Sequence, residues 1–75
     1  MGTLEVCLNS LVDLLNSDQE VTQTSVDGIM DPYLVGFGVA TKQKRDEVAQ
    51  AFHDRTKPSD RRDHLHARIL KQVIA

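Results

Sequence analysis

Residues 34–48, "LVGFGVATKQKRDEV", change within a few positions from an apolar run broken by glycines to a charged stretch typical of a helix. Gly36 and Gly38 can each take the left-handed backbone conformation in which helices often end, and Gly38 is the better candidate for the turn itself. Thr41 is then placed to cap a new helix through "KQKRDEVAQAFH". The inward positions of that helix would be Val48, Ala51 and Phe52. The stretch predicts two helices joined by a tight glycine turn.

Upstream of this turn, "TLEVCLNSLVDLLNS" at residues 3–17 carries apolar residues, Cys7 among them, at intervals of three and four. This spacing predicts an amphipathic helix, capped at its start by Thr3 and ended by the polar residues 16–18. "SDQE" at residues 17–20 has the form of a capping box, which predicts a second helix from Ser17. The β-branched and short polar residues that follow should leave that helix short or irregular toward Met30.

"DPYLVGFG" at residues 31–38 has the features of a helix start. Asp31 stands at a capping position, and Pro32 follows at the first helical position, where a missing N–H costs nothing. We therefore expect a separate helix of one or two turns that ends at the glycines.

Downstream, the polar residues 55–59 with Pro58 predict a loop. Ser59, followed by Asp60 and Asp63, predicts the start of a final helix, because acids are favoured near the positive end of the helix dipole. Its apolar stripe would be Leu65, Ile69, Leu70, Val73 and Ile74. Together the patterns predict one all-α domain over residues 1–75, a compact bundle of four to five short helices.

Length and composition narrow the class of protein. A chain of 75 residues buries only about 60% of the surface that its unfolded form exposes, so its core must be small. The single cysteine, Cys7, cannot form an internal disulfide, which favours an intracellular location. No apolar run approaches the roughly 20 residues that span a bilayer, so we expect a soluble protein that makes no contact with membranes.

Charge is divided unevenly along the chain. Residues 1–40 hold six acidic residues and no Lys or Arg, whereas residues 41–75 hold nine basic and five acidic residues. Such a division indicates either a basic face directed at an acidic partner or two opposite faces that can meet between copies.

Several kinds of chemistry fit the sequence poorly. "GFGVATK" completes neither a P-loop nor a dinucleotide fingerprint, so no nucleotide cofactor is expected. His64 and His66 stand two positions apart on the last helix and point to different faces, which does not suit a shared metal ion. Cys7 lies on an apolar stripe, where a thiol is inert, and no nucleophile is paired with a base at a familiar spacing. We therefore expect neither a metal site nor an enzyme.

Part of the chain resembles the end of a sterile alpha motif (SAM) domain. In that family a short helix ends at a Gly-hydrophobic pair, and a long helix follows with an Arg and then inward apolar residues. The matching positions lie within residues 26–52: "VDG" at 26–28, Leu34, Phe37, Gly38 with Val39, Arg45, Val48, Ala51 and Phe52. The resemblance implies protein–protein association, often head-to-tail, between the Asp27/Asp31 region and the basic start of the long helix at Lys42, Lys44 and Arg45.

We predict from the sequence a non-catalytic interaction module that binds a protein partner or itself. Its opposed acidic and basic helix faces would be formed by Asp27, Asp31, Lys42, Lys44, Arg45, Arg61 and Arg62. The alternative is a small nucleic-acid-binding helical domain that grips phosphates with the bases among these residues, Arg61 and Arg62 included. The glycine turn followed by Lys42, Lys44 and Arg45 is similar to the turn of a helix-hairpin-helix, although the net charge of −2 is unlike that of strongly basic binders.

Overall fold

The computed structural model describes residues 3–72 and is helical throughout, with no β-strand in that range. Its four α-helices are α1 (Leu4–Leu15), α2 (Gln23–Leu34), α3 (Thr41–Arg55) and α4 (Asp60–Leu70). One turn of 3-10 helix, Gly38–Ala40, leads directly into α3. The prediction of a compact all-α bundle is therefore confirmed.

The core consists of one cluster to which all four helices contribute, and each helix contacts each of the other three. Phe52 of α3 lies at its centre and is fully buried. Around it lie buried apolar side chains from the other helices and from the α1–α2 connection: Cys7, Leu8, Leu11, Leu14, Val21, Val26, Met30, Leu34, Val48, Ala49, Leu65 and Ile69. A core of this size leaves no helix dispensable, since each one supplies a share of the buried surface.

The starts of α1 and α4 agree with the capping residues predicted from the sequence. The Thr3 hydroxyl oxygen accepts a hydrogen bond from the Val6 N–H at 3.2 Å, and the Ser59 hydroxyl oxygen accepts one from the Arg62 N–H at 3.0 Å. Leu65 and Ile69 are fully buried as the stripe predicts, whereas Leu70 is 42% exposed. The predicted inward positions Val73 and Ile74 lie outside the described residues.

The predicted helix start at Ser17 is wrong. Residues 16–22 form an irregular turn and α2 begins at Gln23, where the Thr22 hydroxyl oxygen accepts a hydrogen bond from the Ser25 N–H at 3.1 Å. The Ser17 hydroxyl instead donates to the Leu14 carbonyl at the end of α1. Val21, only 5% exposed, is carried into the core by the non-helical segment. Burial of Val21 therefore outweighs the local capping signature.

The predicted break at Asp31 and Pro32 is also wrong, because α2 is one regular helix of 12 residues that contains Pro32. Val26, Met30 and Leu34 recur every four residues and are all buried, so a continuous helix keeps one face on the core. Pro32 is exposed and lies on the outer side of the helix. The cost of its missing hydrogen bond is offset by the burial of this face.

The turn between α2 and α3 forms at the two predicted glycines. Gly36 has a φ of 95° and Gly38 a φ of 58°, so both lie in the left-handed region. Thr41, however, does not cap α3 by accepting a hydrogen bond: it is the first residue of the helix, and its hydroxyl donates to the Gly38 carbonyl at 2.6 Å. Downstream Val48 and Phe52 are buried, Ala51 is half-buried, and Ala49 takes a fully inward position.

Arg61 joins the first turn of α4 to the end of α1 and the turn after it. Its guanidinium donates hydrogen bonds to the carbonyls of Leu14, Leu15, Ser17 and Gln19, at distances between 2.6 and 3.1 Å. The carbonyls of Leu14 and Leu15 belong to the last turn of α1, where the helix dipole favours a positive charge, and those of Ser17 and Gln19 lie in the irregular turn that follows. Arg61 thus caps α1 from the first turn of α4.

Replacement of this guanidinium should destabilise the fold. Arg61→Lys keeps the charge but loses the planar set of donors, and we expect the free energy of unfolding to fall by about 2 kcal/mol. Urea denaturation followed by circular dichroism measures this loss. Lys57→Ala, at an exposed position in the neighbouring loop, is the matched control and should change stability by less than about 0.5 kcal/mol. Equal effects of the two substitutions would contradict the capping role.

Candidate interaction surface

The turn between α2 and α3 carries apolar side chains on its outside. Val35 is 79% exposed and Val39 is fully exposed, while Phe37 between them is half-buried. The ring of Phe37 packs on Tyr33 of α2 at 5.3 Å between centroids, and the Lys44 ammonium lies 5.4 Å from its centre. The positive φ values at Gly36 and Gly38 fix this shape. Val35 and Val39 are thus apolar side chains that the core leaves exposed at this turn.

Basic side chains adjoin these valines at an electrostatically unfavourable place. Lys42, Lys44 and Arg45 lie in the first turns of α3, which contain no acid before Asp46, and the helix dipole disfavours positive charge there. The residue that precedes the helix, Ala40, offers no side-chain cap. Lys44 and Arg45 are partly neutralised by Glu47 and Asp46, whereas Lys42 is exposed and forms no ion pair with residues 3–72. We call Val35, Val39 and Lys42 the junction patch.

The predicted acidic residues are held inside the chain's own hydrogen-bond network. Asp27 accepts a hydrogen bond from the Gln23 amide at 2.9 Å, and Asp31 accepts one from the Gln72 amide at 2.7 Å. The backbone carbonyl of Gln72 in turn accepts a hydrogen bond from Arg45. Asp31 and Arg45 therefore flank the same residue, and the structure does not place them on opposed faces.

Arg61 and Arg62 also serve the fold. Arg62 is only 5% exposed, and its guanidinium donates to Asp63 at 2.9 Å and to the carbonyls of His53 and Thr56, which end α3. Together with the Arg61 contacts at the end of α1, these bonds hold α4 against both neighbouring helices. Of the predicted bases, only Lys42, Lys44 and Arg45 remain at the turn between α2 and α3.

Among the exposed acids that the sequence analysis did not single out, three lie on α1 and in the loop after it. Asp13, Asp18 and Glu20 are exposed and take part in no ion pair within residues 3–72. Glu5, by contrast, pairs with Arg55 of α3 through two hydrogen bonds, which lower the pKa of its carboxyl group. Sequence could not distinguish these cases, because the partner of Glu5 lies 50 residues away.

The cysteine and two of the histidines have the following surroundings within residues 3–72. Cys7 is 3% exposed, and burial raises the pKa of its thiol to about 11, which keeps it protonated and unreactive. His64 contacts the Val21 carbonyl, whereas His66 packs edge-on against His53 of α3 at 5.4 Å. Within residues 3–72 no three side chains of His, Cys, Asp or Glu come together in a way that could hold a metal ion.

Comparison of the chain with protein-family models, with characterised proteins and with solved structures finds no match. The structure contributes one further fact: over residues 3–72 no helix is both long and apolar enough to cross a membrane.

The His53–His66 pair makes stability depend on pH. Burial lowers the pKa of His66 below its usual 6.5, and the positive charges of His53 and Arg62 lower it further. As the pH falls through 6.5, the unfolded chain therefore binds a proton that the folded chain resists. We expect the free energy of unfolding to decrease between about pH 7 and about pH 5. Urea denaturation across this range should show a smaller decrease in the free energy of unfolding for His66→Gln than for the matched variant His64→Gln. Equal decreases would show that His66 is not the source of the pH dependence.

Proposed function

We propose that the chain is a non-catalytic interaction module that associates with itself through its basic junction patch and its exposed acidic residues. The observation that carries the proposal is that Lys42, in the first turn of α3, closely follows the exposed Val35 and Val39 along the chain. A lysine in the first turn of α3 opposes the helix dipole, and Val35 and Val39 contribute nothing to the core. Each choice lowers the stability of the free chain, which is typical of residues kept for binding.

The composition of the junction patch suits a protein partner. An apolar centre with a charged rim is the usual anatomy of a protein–protein contact. Lys42, in a first turn of α3 that contains no acid, favours an acidic group opposite it. Asp13, Asp18 and Glu20 supply such groups on the same chain. The resemblance to SAM domains implies self-association as well. Self-association is therefore a prediction from two separate features, the charges and the resemblance.

Self-association of this kind should weaken as salt rises. Sedimentation velocity of the chain at concentrations up to about 1 mM should show a concentration-dependent oligomer at about 50 mM salt. At about 500 mM salt the oligomer should be reduced, because exposed charges are then screened. A monomer under all of these conditions would overturn the proposal.

A charge reversal at Lys42 separates binding from folding. Lys42→Glu places a negative charge near the positive end of α3, so we expect the free energy of unfolding to rise by about 0.5 kcal/mol. The same substitution should weaken association at least about 5-fold at low salt. Lys57→Glu reverses an exposed base in the α3–α4 loop and serves as the control, with association unchanged. If Lys42→Glu associates as the unaltered chain does, the junction patch is not the contact.

Nucleic-acid binding is the second candidate function, and one observation favours it. Lys42 and Lys44 lie in the first turns of α3 with no acid before Asp46, and two ammonium groups so placed suit a phosphate. Fluorescence anisotropy with labelled single- and double-stranded DNA and RNA at low salt tests it, and a phosphate binder must lose affinity steeply as salt rises. The absence of binding to all of these would remove this candidate. Against this candidate, Arg61 and Arg62 already donate hydrogen bonds to backbone carbonyls of the chain itself.

A further inference from the structure

A hollow on the surface of the bundle lies where the end of α1 meets the loop between α3 and α4. Its volume is about 350 Å³, which is at the small end of the usual range for sites that bind small molecules. The apolar side chains that line it are aliphatic: Val12 and Leu15 of α1, both half-buried, and Pro58 of the loop. We call this site the α1/loop hollow.

The charged side chains of the α1/loop hollow are all basic. Arg55, Lys57 and Arg61 line it, and within residues 3–72 no Asp or Glu does. Arg55 is paired with Glu5, whereas Lys57 and Arg61 form no ion pair in that part of the chain. The hollow therefore keeps two positive charges without an acidic partner beside an aliphatic surface, and this combination favours a ligand that is both anionic and apolar.

Arg61 is held in position by the fold before any ligand binds. Its Nε and Nη2 atoms donate to four backbone carbonyls, while its Nη1 donates no hydrogen bond within residues 3–72. A guanidinium that is already ordered loses little side-chain freedom when an anion binds, and its unused N–H groups are suited to a carboxylate. Lys57, by contrast, is exposed and has no role in the core, so its ammonium group is available at the rim of the hollow.

The uncharged polar groups of the hollow leave few partners for the backbone of a peptide. The Thr56 hydroxyl donates to the Phe52 carbonyl at 2.8 Å, and the Ser59 hydroxyl oxygen accepts from the Arg62 N–H. Of the three uncharged polar side chains that line the hollow, only Asn16 forms no hydrogen bond within residues 3–72. Because desolvated amide groups need partners, the hollow suits a ligand whose single polar group is its anion.

We propose that the α1/loop hollow binds a free aliphatic carboxylate. The two oxygens of the carboxylate accept from Lys57 and Arg61, and the hydrocarbon chain packs on Val12 and Leu15. This site lies at the end of α3, and the junction patch lies at its start, roughly 20 Å away along a helix of 15 residues. The proposal goes beyond the proposed self-association and does not depend on it.

Titration with hexanoate, followed in NMR spectra of the backbone amides, tests the site. We expect the signals of Leu15 and Lys57 to shift saturably, with a dissociation constant of about 1 mM. Hexanol keeps the chain without the charge and acetate keeps the charge without the chain, so each should bind at least about 10-fold more weakly. Equal binding of either control, or no saturable shift in the hollow, would overturn the proposal. Tighter binding of N-acetyl-alanyl-leucine than of hexanoate would overturn the assignment to a free acid.

Two charge reversals separate the α1/loop hollow from the junction patch. Lys57→Glu should weaken hexanoate binding about 10-fold or more and leave self-association unchanged, whereas Lys42→Glu should weaken self-association and leave hexanoate binding unchanged. Circular dichroism of both variants checks that the fold is intact. Unchanged hexanoate binding in Lys57→Glu would overturn the site and leave the proposed self-association standing. A chain that binds hexanoate as expected but is monomeric at every concentration and salt would overturn the self-association alone.

Discussion

The chain reversal at Gly36 and Gly38 is the constraint on which the rest of the structure depends. Two left-handed residues within three positions return the chain from the end of α2 to the start of α3 in a single turn, and only glycine takes that conformation without strain. The tight reversal lets Leu34, Val48 and Phe52 enter one core. The turn is too short to bury all of its own side chains, so Val35 and Val39 point outward. The fold and the candidate surface are consequences of the same turn.

The parts of the fold that depend on local chemistry could be predicted from the sequence. Thr3 and Ser59 cap their helices because a hydroxyl three residues before a free N–H acts without help from the rest of the chain. The signatures at Ser17 and Asp31 failed for a different reason. Each is a valid local pattern, but Val21 and Leu34 had to reach the core, and burial is worth more than one cap. Local capping patterns predicted the helix starts correctly where they were compatible with burial of the apolar side chains. They predicted them wrongly where burial required another conformation.

The candidate site was only partly visible in the sequence because charges and their partners lie far apart along the chain. Lys42 could be identified from the polarity change after the glycine turn. The hydrogen bonds of Arg61 to carbonyls more than 40 residues earlier could not be identified from the sequence. The sequence analysis assigned no exposed role to Val35 or Val39, so the apolar part of the junction patch was missed. The resemblance to SAM domains remains a prediction.

The contacts of Arg61 also determine how the bundle opens. Its hydrogen bonds reach the last turn of α1 and the loop as far as Gln19 from the first turn of α4. Neither end can fray without breaking bonds at the other, so these two segments form one cooperative unit. Amide protons in the last turn of α1 and the first turn of α4 should then exchange with solvent at a common rate. Two stretches of sequence that are far apart would behave as a single local element of the fold.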